Sequence, residues 1–336
     1  MNPPCVYPLC QGGFLSKMKL DQLSRYFLAA LAAVVLSMCA SNSIDARTIK
    51  IATYNVENFF DAHDDPYYGD VDRYNEGNLL VKPKEELEAL ARVIRHLDAD
   101  VIGLQEVENR GFLEQFNREY LKGMGYKEVV HVLGNDQRGI DVALLSRFDV
   151  GPVVSYRHVN LDHSTPENPA RFSRDLLEVT IRPPDSEPFH VYVAHLKSRG
   201  GGKEATLQRV AEANKIRQIW DYRLNANPKS LFVFLADIND DPPSSTFRIL
   251  QGQGAKKVTA ISAVCAAGKD YTQESKYTDH YSPIRFDYVF ASPAMNARLK
   301  SGAVLRPADT TSALFNDLRA ASDHFPVYGI FDLGRK

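Results

Sequence analysis

Residues 231–236 read LFVFLA, apolar at every position. Such a strand is stable only where both of its faces are covered, because apolar surface left in water costs about 25 cal/mol per Å2. Cover on both sides requires packed layers, and the rest of the chain supplies the pieces. Strand-like runs occupy 47–54, 100–105, 140–145, 150–159, 176–182, 189–196, 286–290 and 327–333. In the first of these, Ile49 and Ile51 alternate with polar neighbours, the period of a half-buried strand. Between 84 and 97, Leu87, Leu90, Ala91, Ile94 and Leu97 share one helical face, and Pro83 stands where a first helical residue would. A second long helix fits 203–224, with Val210, Ala213, Ile216, Trp220 and Leu224 in register. Helices outside and sheets inside are the predicted architecture. There is no internal repeat and no long Gly, Ser or Pro linker. The segments 61–78 and 252–283 read as loops.

Composition narrows the function classes. Apolar residues make up 44% and charged residues 24% of the 336, which excludes a disordered chain and a polytopic membrane protein. Lys plus Arg number 40 against 42 Asp plus Glu, a net charge of -2. That excludes a generally basic nucleic-acid coat but not a locally basic cleft. Four cysteines exclude a disulfide-dense scaffold.

The amino terminus reads as an address. Residues 27–40, FLAALAAVVLSMCA, contain one polar member, Ser37, and follow Lys17, Lys19 and Arg25. Fourteen residues are too few to span a bilayer but suit the apolar core of a signal peptide. The expectation is a leader over 1–46, with Met18 as an alternative start, and a single catalytic domain over 47–336. Ala40 and Ala46 offer cleavage sites. Cys39 follows Leu36, Ser37 and Met38 and is similar to a lipoprotein box, although Met38 is bulky there. Losing 1–46 leaves Cys265 alone, so the mature chain has no internal disulfide. The expected product is exported, secreted or periplasmic, monomeric and without a membrane span, with lipid anchoring at Cys39 as the alternative.

Polar residues gather at the strand exits. Asn55 and Glu57 follow the first strand, and Gln105 and Glu106 follow the second. His195 follows VYVA at 191–194, Asp237 and Asn239 follow LFVFLA, and Asp323 and His324 precede the last strand. Each alone is an ordinary turn or cap residue. Together they are the groups that hold a divalent cation or move a proton. Ser322, Asp323 and His324 are no serine-hydrolase triad, because adjacent residues in an extended segment cannot converge. Without a Cys cluster or closely spaced histidines, a zinc site is excluded as well.

In this order the motifs resemble the endonuclease/exonuclease/phosphatase superfamily, the fold of pancreatic-type deoxyribonuclease. The resemblance runs over 48–333 and rests on TYNV at 53–56, LQE at 104–106, RDLLEV at 174–179, HLKS at 195–198, DIN at 237–239, FDYVF at 286–290 and SDHFPV at 322–327. Seven motifs in sequence order outweigh the weakness of each. Secreted bacterial nucleases are most similar in appearance. Ala236 stands where the family usually has Gly, and a tyrosine that abasic-site enzymes carry near Arg174 is missing.

The resemblance implies a four-layer α/β sandwich with two packed central β-sheets flanked by helices. It implies hydrolysis of a phosphodiester by metal-activated water, with Mg2+ as the cofactor and Mn2+ or Ca2+ as alternatives. Asn55, Glu106 and Asp323 would hold the metal. Asp237, assisted by Asn239, would activate water, and His195 and His324 would face the phosphoryl oxygens. Asp287 would orient His324, and Asp141 would do the same for His195.

Substrate follows from local charge. Residues 195–218 carry Lys197, Arg199, Lys203, Arg209, Lys215 and Arg217 against Glu204 and Glu212, a local charge of +4. Beside His195 this reads as a polyanion track, with Arg174, Lys197 and Arg199 on substrate phosphates. The expected partner is nucleic acid, DNA before RNA, with little sequence readout. The alternatives are a phosphodiesterase or phosphatase of lipid head groups, for which Tyr67 and Tyr68 are the one candidate membrane contact, and a non-catalytic binding module.

Overall fold

The apolar run at 231–236 lies inside a six-stranded sheet, paired on both sides and buried. The computed structural model describes residues 48–62, 81–162, 165, 169–275 and 282–334, all within the unit Arg47–Lys336. The leader at 1–46 with Cys39, and Tyr67 and Tyr68 with most of the loop at 61–78, lie outside the described residues. Among those described, no helix is long and apolar enough to cross a membrane.

In chain order the elements are β1 (Thr48–Phe59), α1 (Lys84–Leu97), β2 (Val101–Val107), α2 (Arg110–Tyr120), β3 (Glu128–His131), β4 (Asp141–Ser146), β5 (Asp149–Ser155), β6 (Leu176–Arg182), β7 (Phe189–His195), α3 (Gly202–Ala226), β8 (Phe232–Asp237), α4 (Ser245–Gln251), β9 (Thr259–Ala260), β10 (Asp287–Ala291), α5 (Pro293–Asn296), β11 (Leu299–Val304), α6 (Ala313–Ala321) and β12 (Val327–Asp332). The first sheet runs β11-β12-β1-β2-β4-β3 and the second β5-β6-β7-β8-β10-β9. Among the paired strands of the described residues, β1–β2 and β7–β8 are parallel and the other pairs antiparallel.

The sheets meet face to face, and helices cover their outer faces, giving the four-layer sandwich. Gly103 marks how closely they approach. A Cβ there would stand 2.9 Å from Leu235 Cβ and 3.2 Å from Val193, so a side chain on β2 would push β7 and β8 away. On the outside of the second sheet, Ala213, Ile216, Trp220 and Leu224 of α3 pack on Tyr192, Phe232 and Phe234. α1 covers the first sheet through Leu87, Leu90, Ile94 and Leu97. Its stop is local: Asp98 turns left-handed at φ 45° and returns its N–H to Ile94 O.

Two expectations shift slightly. Pro83 caps α1 from outside, where its carbonyl accepts the N–H groups of Glu86 and Leu87 at 3.0 Å each. The long helix begins and ends a little wider than 203–224. α2, α4 and α6 were not among the expected helices. Phe112, Phe116 and Tyr120 in α2 and Leu314, Leu318 and Ala321 in α6 recur at helical spacing. Each of the three helices also carries a capping side chain, Asn109, Ser244 or Ser312, that accepts an N–H in the first turn.

Candidate active site

Strand register brings the first three groups together. His195 ends β7, Asp237 ends β8 and Asp287 begins β10. His195 is opposite Asp237, and Asp237 is opposite Asp287. Residues directly opposite one another point to the same face, so the three form a buried row at one end of the second sheet.

The first sheet completes the site through irregularity. The β1–β2 register breaks between Asn55 and Phe59, and the β2–β4 register breaks between Gln105 and Val107. Glu57, Asn58 and Glu106 sit at φ 50°, 49° and 67°, and Asn239 beyond β8 at 49°. Side-chain-bearing residues held there cost on the order of 1 kcal/mol each. These four surround one spot, where bulges turn side chains out of the strand alternation and into the site.

Hydrogen bonds fix what the bulges aim. Asn55 Oδ1 accepts the Glu57 N–H at 3.0 Å, which orients the amide. Its Nδ2 therefore donates to Glu106 Oε1 and to Asp237 Oδ2, both at 3.1 Å. Glu106 Oε2 accepts the Asn58 N–H at 2.9 Å. Asn239 N–H donates to Asp237 Oδ1 at 2.8 Å, while its Nδ2 holds Leu196 O at 3.1 Å. Ser322 Oγ donates to Asn55 O at 2.7 Å and accepts the His324 N–H at 3.0 Å, and Asp323 N–H donates to Glu57 Oε2 at 3.0 Å. The segment before β12 is thereby tied to β1.

His324 Nδ1–H donates to Asp287 Oδ2 at 2.7 Å. The same carboxylate oxygen accepts from Thr272 Oγ1 at 2.7 Å, and that hydroxyl accepts the N–H groups of Phe286 and Asp287 at 3.0 Å each. Thr272 thus uses its one donor and both acceptor positions. His324 Nε2 is left facing the site, 3.9 Å from Asp237 Oδ2 and 3.8 Å from Asp323 Oδ1.

These surroundings set opposite protonation states for the two imidazoles. Burial alone would drive a proton off His324, but Asp287, Asp323 and Asp237 outweigh it and hold its pKa well above the ordinary value. Burial lowers His195, and the positive charges of Arg174, His324 and Arg138 lower it further. His195 is neutral, with Nε2 3.5 Å from Asp237 Oδ2. Burial and the nearby Asp287 raise Asp237 to about 7, against the opposing pull of His324 and of bonds from Asn239 and Asn55. A carboxylate in that range suits proton transfer near neutral pH.

Asp237, Asp287 and His324 offer ligand atoms within 4.8 Å of one another, the one such group of three among the described residues. The Asp287–His324 pair is already engaged internally, and a cationic imidazole repels a metal. Glu106 and Asp323 offer carboxylate oxygens that are less fully engaged. Each Glu106 oxygen accepts one hydrogen bond, and Asp323 Oδ2 accepts Gln273 Nε2 at 2.9 Å, so oxygen lone pairs remain. All-oxygen donors of this kind suit a hard divalent cation. Asn55 differs from expectation: its Oδ1 is turned to Glu57, and it presents NH2 to the acids.

Other expected residues are placed differently. Arg174 is buried, paired with Asp136 at 2.9 Å and bonded to Leu196 O at 3.1 Å. Arg199 pairs with Asp240 and Asp241 and lies 5.0 Å over the Phe286 ring. Arg209 pairs with Asp240, Lys215 with Asp162 and Arg217 with Asp221. The local charge of +4 is therefore largely answered by acids from elsewhere in the chain. Lys197 lines two clefts beside the site. Asp141 is not the partner of His195, whose Nδ1 has no hydrogen-bond partner among the described residues. Asp141 begins β4 in the other sheet and stands 3.7 Å from His131. Glu212 was missed: from inside α3 it accepts the N–H groups of Ser173 and Lys197 at 2.7 and 2.9 Å, clamping the entry to β6 and the exit from β7.

The model of the Endonuclease/Exonuclease/phosphatase family matches residues 50–267. Among curated proteins there is no match. Solved structures with the same fold include truncated Caenorhabditis elegans TDP2, at 15% identity and TM-score 0.56, covering 86% of this chain and 100% of that one. D. rerio TDP2 complexed with single strand DNA product gives 16% identity and TM-score 0.54, covering 84% and 98%. Sphingomyelinase C from Streptomyces griseocarneus gives 15% identity and TM-score 0.56, covering 85% and 99%.

Proposed function

The chain belongs to the endonuclease/exonuclease/phosphatase family of phosphoric ester hydrolases, and from that premise we propose that it is an exported, metal-dependent phosphodiesterase acting on nucleic acid, DNA before RNA. The observation that carries the chemistry is the row His195–Asp237–Asp287 with cationic His324 across its mouth. Glu106 and Asp323 would hold the cation, Mg2+ by preference, with Mn2+ or Ca2+ as alternatives. Once bound, it would neutralise phosphate charge and acidify water.

The chain's own groups divide the remaining work. Asp237 takes the proton from the attacking water as the new P–O bond forms and the opposite P–O bond breaks. Asn239 N–H and Asn55 Nδ2 hold the Asp237 carboxylate in place through one bond to each oxygen. His324 Nε2–H and neutral His195 face the phosphoryl oxygens, where charge grows in the transition state. Asp287 fixes the His324 tautomer, with Thr272 behind it. The leaving oxygen takes up a proton from solvent and Asp237 returns its own to solvent, so the products are a phosphomonoester and an alcohol.

Support for nucleic acid comes from Lys197 at the edge of the site and from the TDP2 relative bound to DNA product. The sphingomyelinase relative keeps lipid head groups as the second reading. Export rests on the leader at 1–46, with 47–336 as the catalytic domain and a monomer as its expected state. The test is the purified protein on plasmid DNA, RNA and sphingomyelin with a panel of divalent cations. Cleavage of DNA is expected. Cleavage of sphingomyelin alone would overturn the substrate assignment.

A further inference from the structure

Asp136 is shared by two arginines. Its Oδ2 is 2.9 Å from Arg174 Nε, and its Oδ1 is 3.3 Å from Arg138 Nε. Arg174 is buried, whereas the Arg138 side chain is 53% exposed. One carboxylate against two guanidiniums leaves surplus positive charge, and both arginines act on His195. Arg138 lines a cleft of about 520 Å3 together with Gln137, Ser173, Lys197 and Ser198. No ion pair to a carboxylate is found for Lys197 among the described residues. None of the lining side chains is apolar, so the cleft offers an acyl chain nothing to bury against.

The loop carrying Arg138 is held in place. Asn135 Nδ2 donates to Arg157 O at 2.7 Å and to Phe172 O at 2.9 Å, and its N–H donates to Arg174 O at 3.0 Å. At Gly134 a Cβ would stand 2.3 Å from Asp141 Oδ1 and 3.2 Å from the Arg174 backbone, so the loop lies against Arg174 only with glycine there. Preformed charge of this kind binds without an ordering cost. A second cleft, of about 710 Å3, shares Ser173 and Lys197 with the first and carries Leu207, 58% exposed.

We propose that the cleft at Arg138 and Lys197 is a second phosphate subsite, which receives the phosphate next to the scissile phosphodiester. Arg138 is its specificity-determining residue, and the hydroxyls of Ser173 and Ser198 are its neutral donors. The adjoining cleft continues the path for the next nucleoside, with Leu207 as its apolar contact. The inference rests on the phosphodiesterase reading and deepens it: the preferred substrate has at least two successive phosphates, as a nucleic-acid strand does and a sphingolipid does not.

Binding without turnover tests it. Calorimetry on the full chain in excess chelator compares a nucleoside bisphosphate, with a phosphate on each side of the sugar, against the two monophosphates. The bisphosphate is expected to bind about tenfold more tightly, the worth of one charge-assisted contact. Arg138→Gln should bring the ratio close to one while the melting temperature holds. Equal affinities in the wild type, or a ratio that survives in Arg138→Gln, would overturn the subsite. Hydrolysis of a nitrophenyl phosphodiester, read separately, judges the underlying reading. Turnover without the affinity ratio sinks the subsite alone, and absence of turnover with every divalent cation sinks the phosphodiesterase reading.

Discussion

Replacing Asp287 by Asn retains its shape and removes the charge that His324 Nδ1–H meets at 2.7 Å. The pKa of His324 is held well above its ordinary value although burial opposes this, with Asp287 the largest of the carboxylates responsible. A histidine raised in the folded state adds stability that is complete below its unfolded pKa of about 6.5 and is lost as pH climbs through the folded value. At pH 6 the variant leaves a buried imidazolium without its nearest counter-ion, a loss of about 3 kcal/mol. At pH 9 the variant's imidazole is free to be neutral. The loss then shrinks toward that of a single neutral hydrogen bond, about 1 kcal/mol. Part of the cost is independent of pH, because Asp287 Oδ1 is buried with no hydrogen-bond partner among the described residues, and an NH2 placed there would find no acceptor among them. Urea unfolding at pH 6 and pH 9, both in excess chelator, measures the two losses. A loss that is the same at both values, or absent at pH 6, would refute the charged pair. Turnover of the variant should fall about a hundredfold or more, since the orientation and charge of His324 serve the transition state.

Glu106→Ala should lose about 99% or more of turnover while remaining folded, because a hard-cation ligand is gone; calorimetric Mg2+ titration should weaken in parallel, and near-normal turnover would remove Glu106 from the metal site. Asp175 is raised from 3.8 to about 7, chiefly by burial, against bonds from Ser155, Tyr156 and Leu176 that lower it. The unfolded chain ionises it first, so stability falls between those pH values and the penalty persists above them. Asp175→Asn should therefore gain about 2 kcal/mol at pH 8, with the gain closing toward pH 4; a variant less stable than wild type at pH 8 would contradict this. Arg306 lies 5.0, 5.0 and 5.4 Å from the rings of Tyr271, Phe315 and Phe325, and Arg306→Ala should cost about 2 kcal/mol in thermal or urea unfolding.

The strand exits were legible because chemistry there is written into short motifs, and a parallel or antiparallel register does the rest. His195, Asp237 and Asp287 are far apart in sequence, yet adjacent pairing positions suffice to align them. Charge was misread for a physical reason. Arg209 and Lys215 belong to a basic run only until Asp240 and Asp162 are brought to them. A sequence window counts the charges of one segment, whereas a surface counts those of all segments that meet. Thr272 was invisible because its role depends on a loop that folds back over Asp287, and threonine carries no signal of that. Asp141 was assigned from its place at a strand start, but β4 lies in the other sheet, and a strand start alone gives no direction toward His195.

The central claim is that water, activated with the help of Asp237 and a bound cation, attacks phosphorus. Single-turnover hydrolysis of a dinucleotide in oxygen-18 water with Mg2+ tests this most directly. The predicted result is one labelled oxygen in the phosphomonoester and none in the released alcohol from the first turnover, with no reaction in excess chelator. Label in the alcohol, an unlabelled first-turnover phosphate, or full activity in chelator would contradict the account.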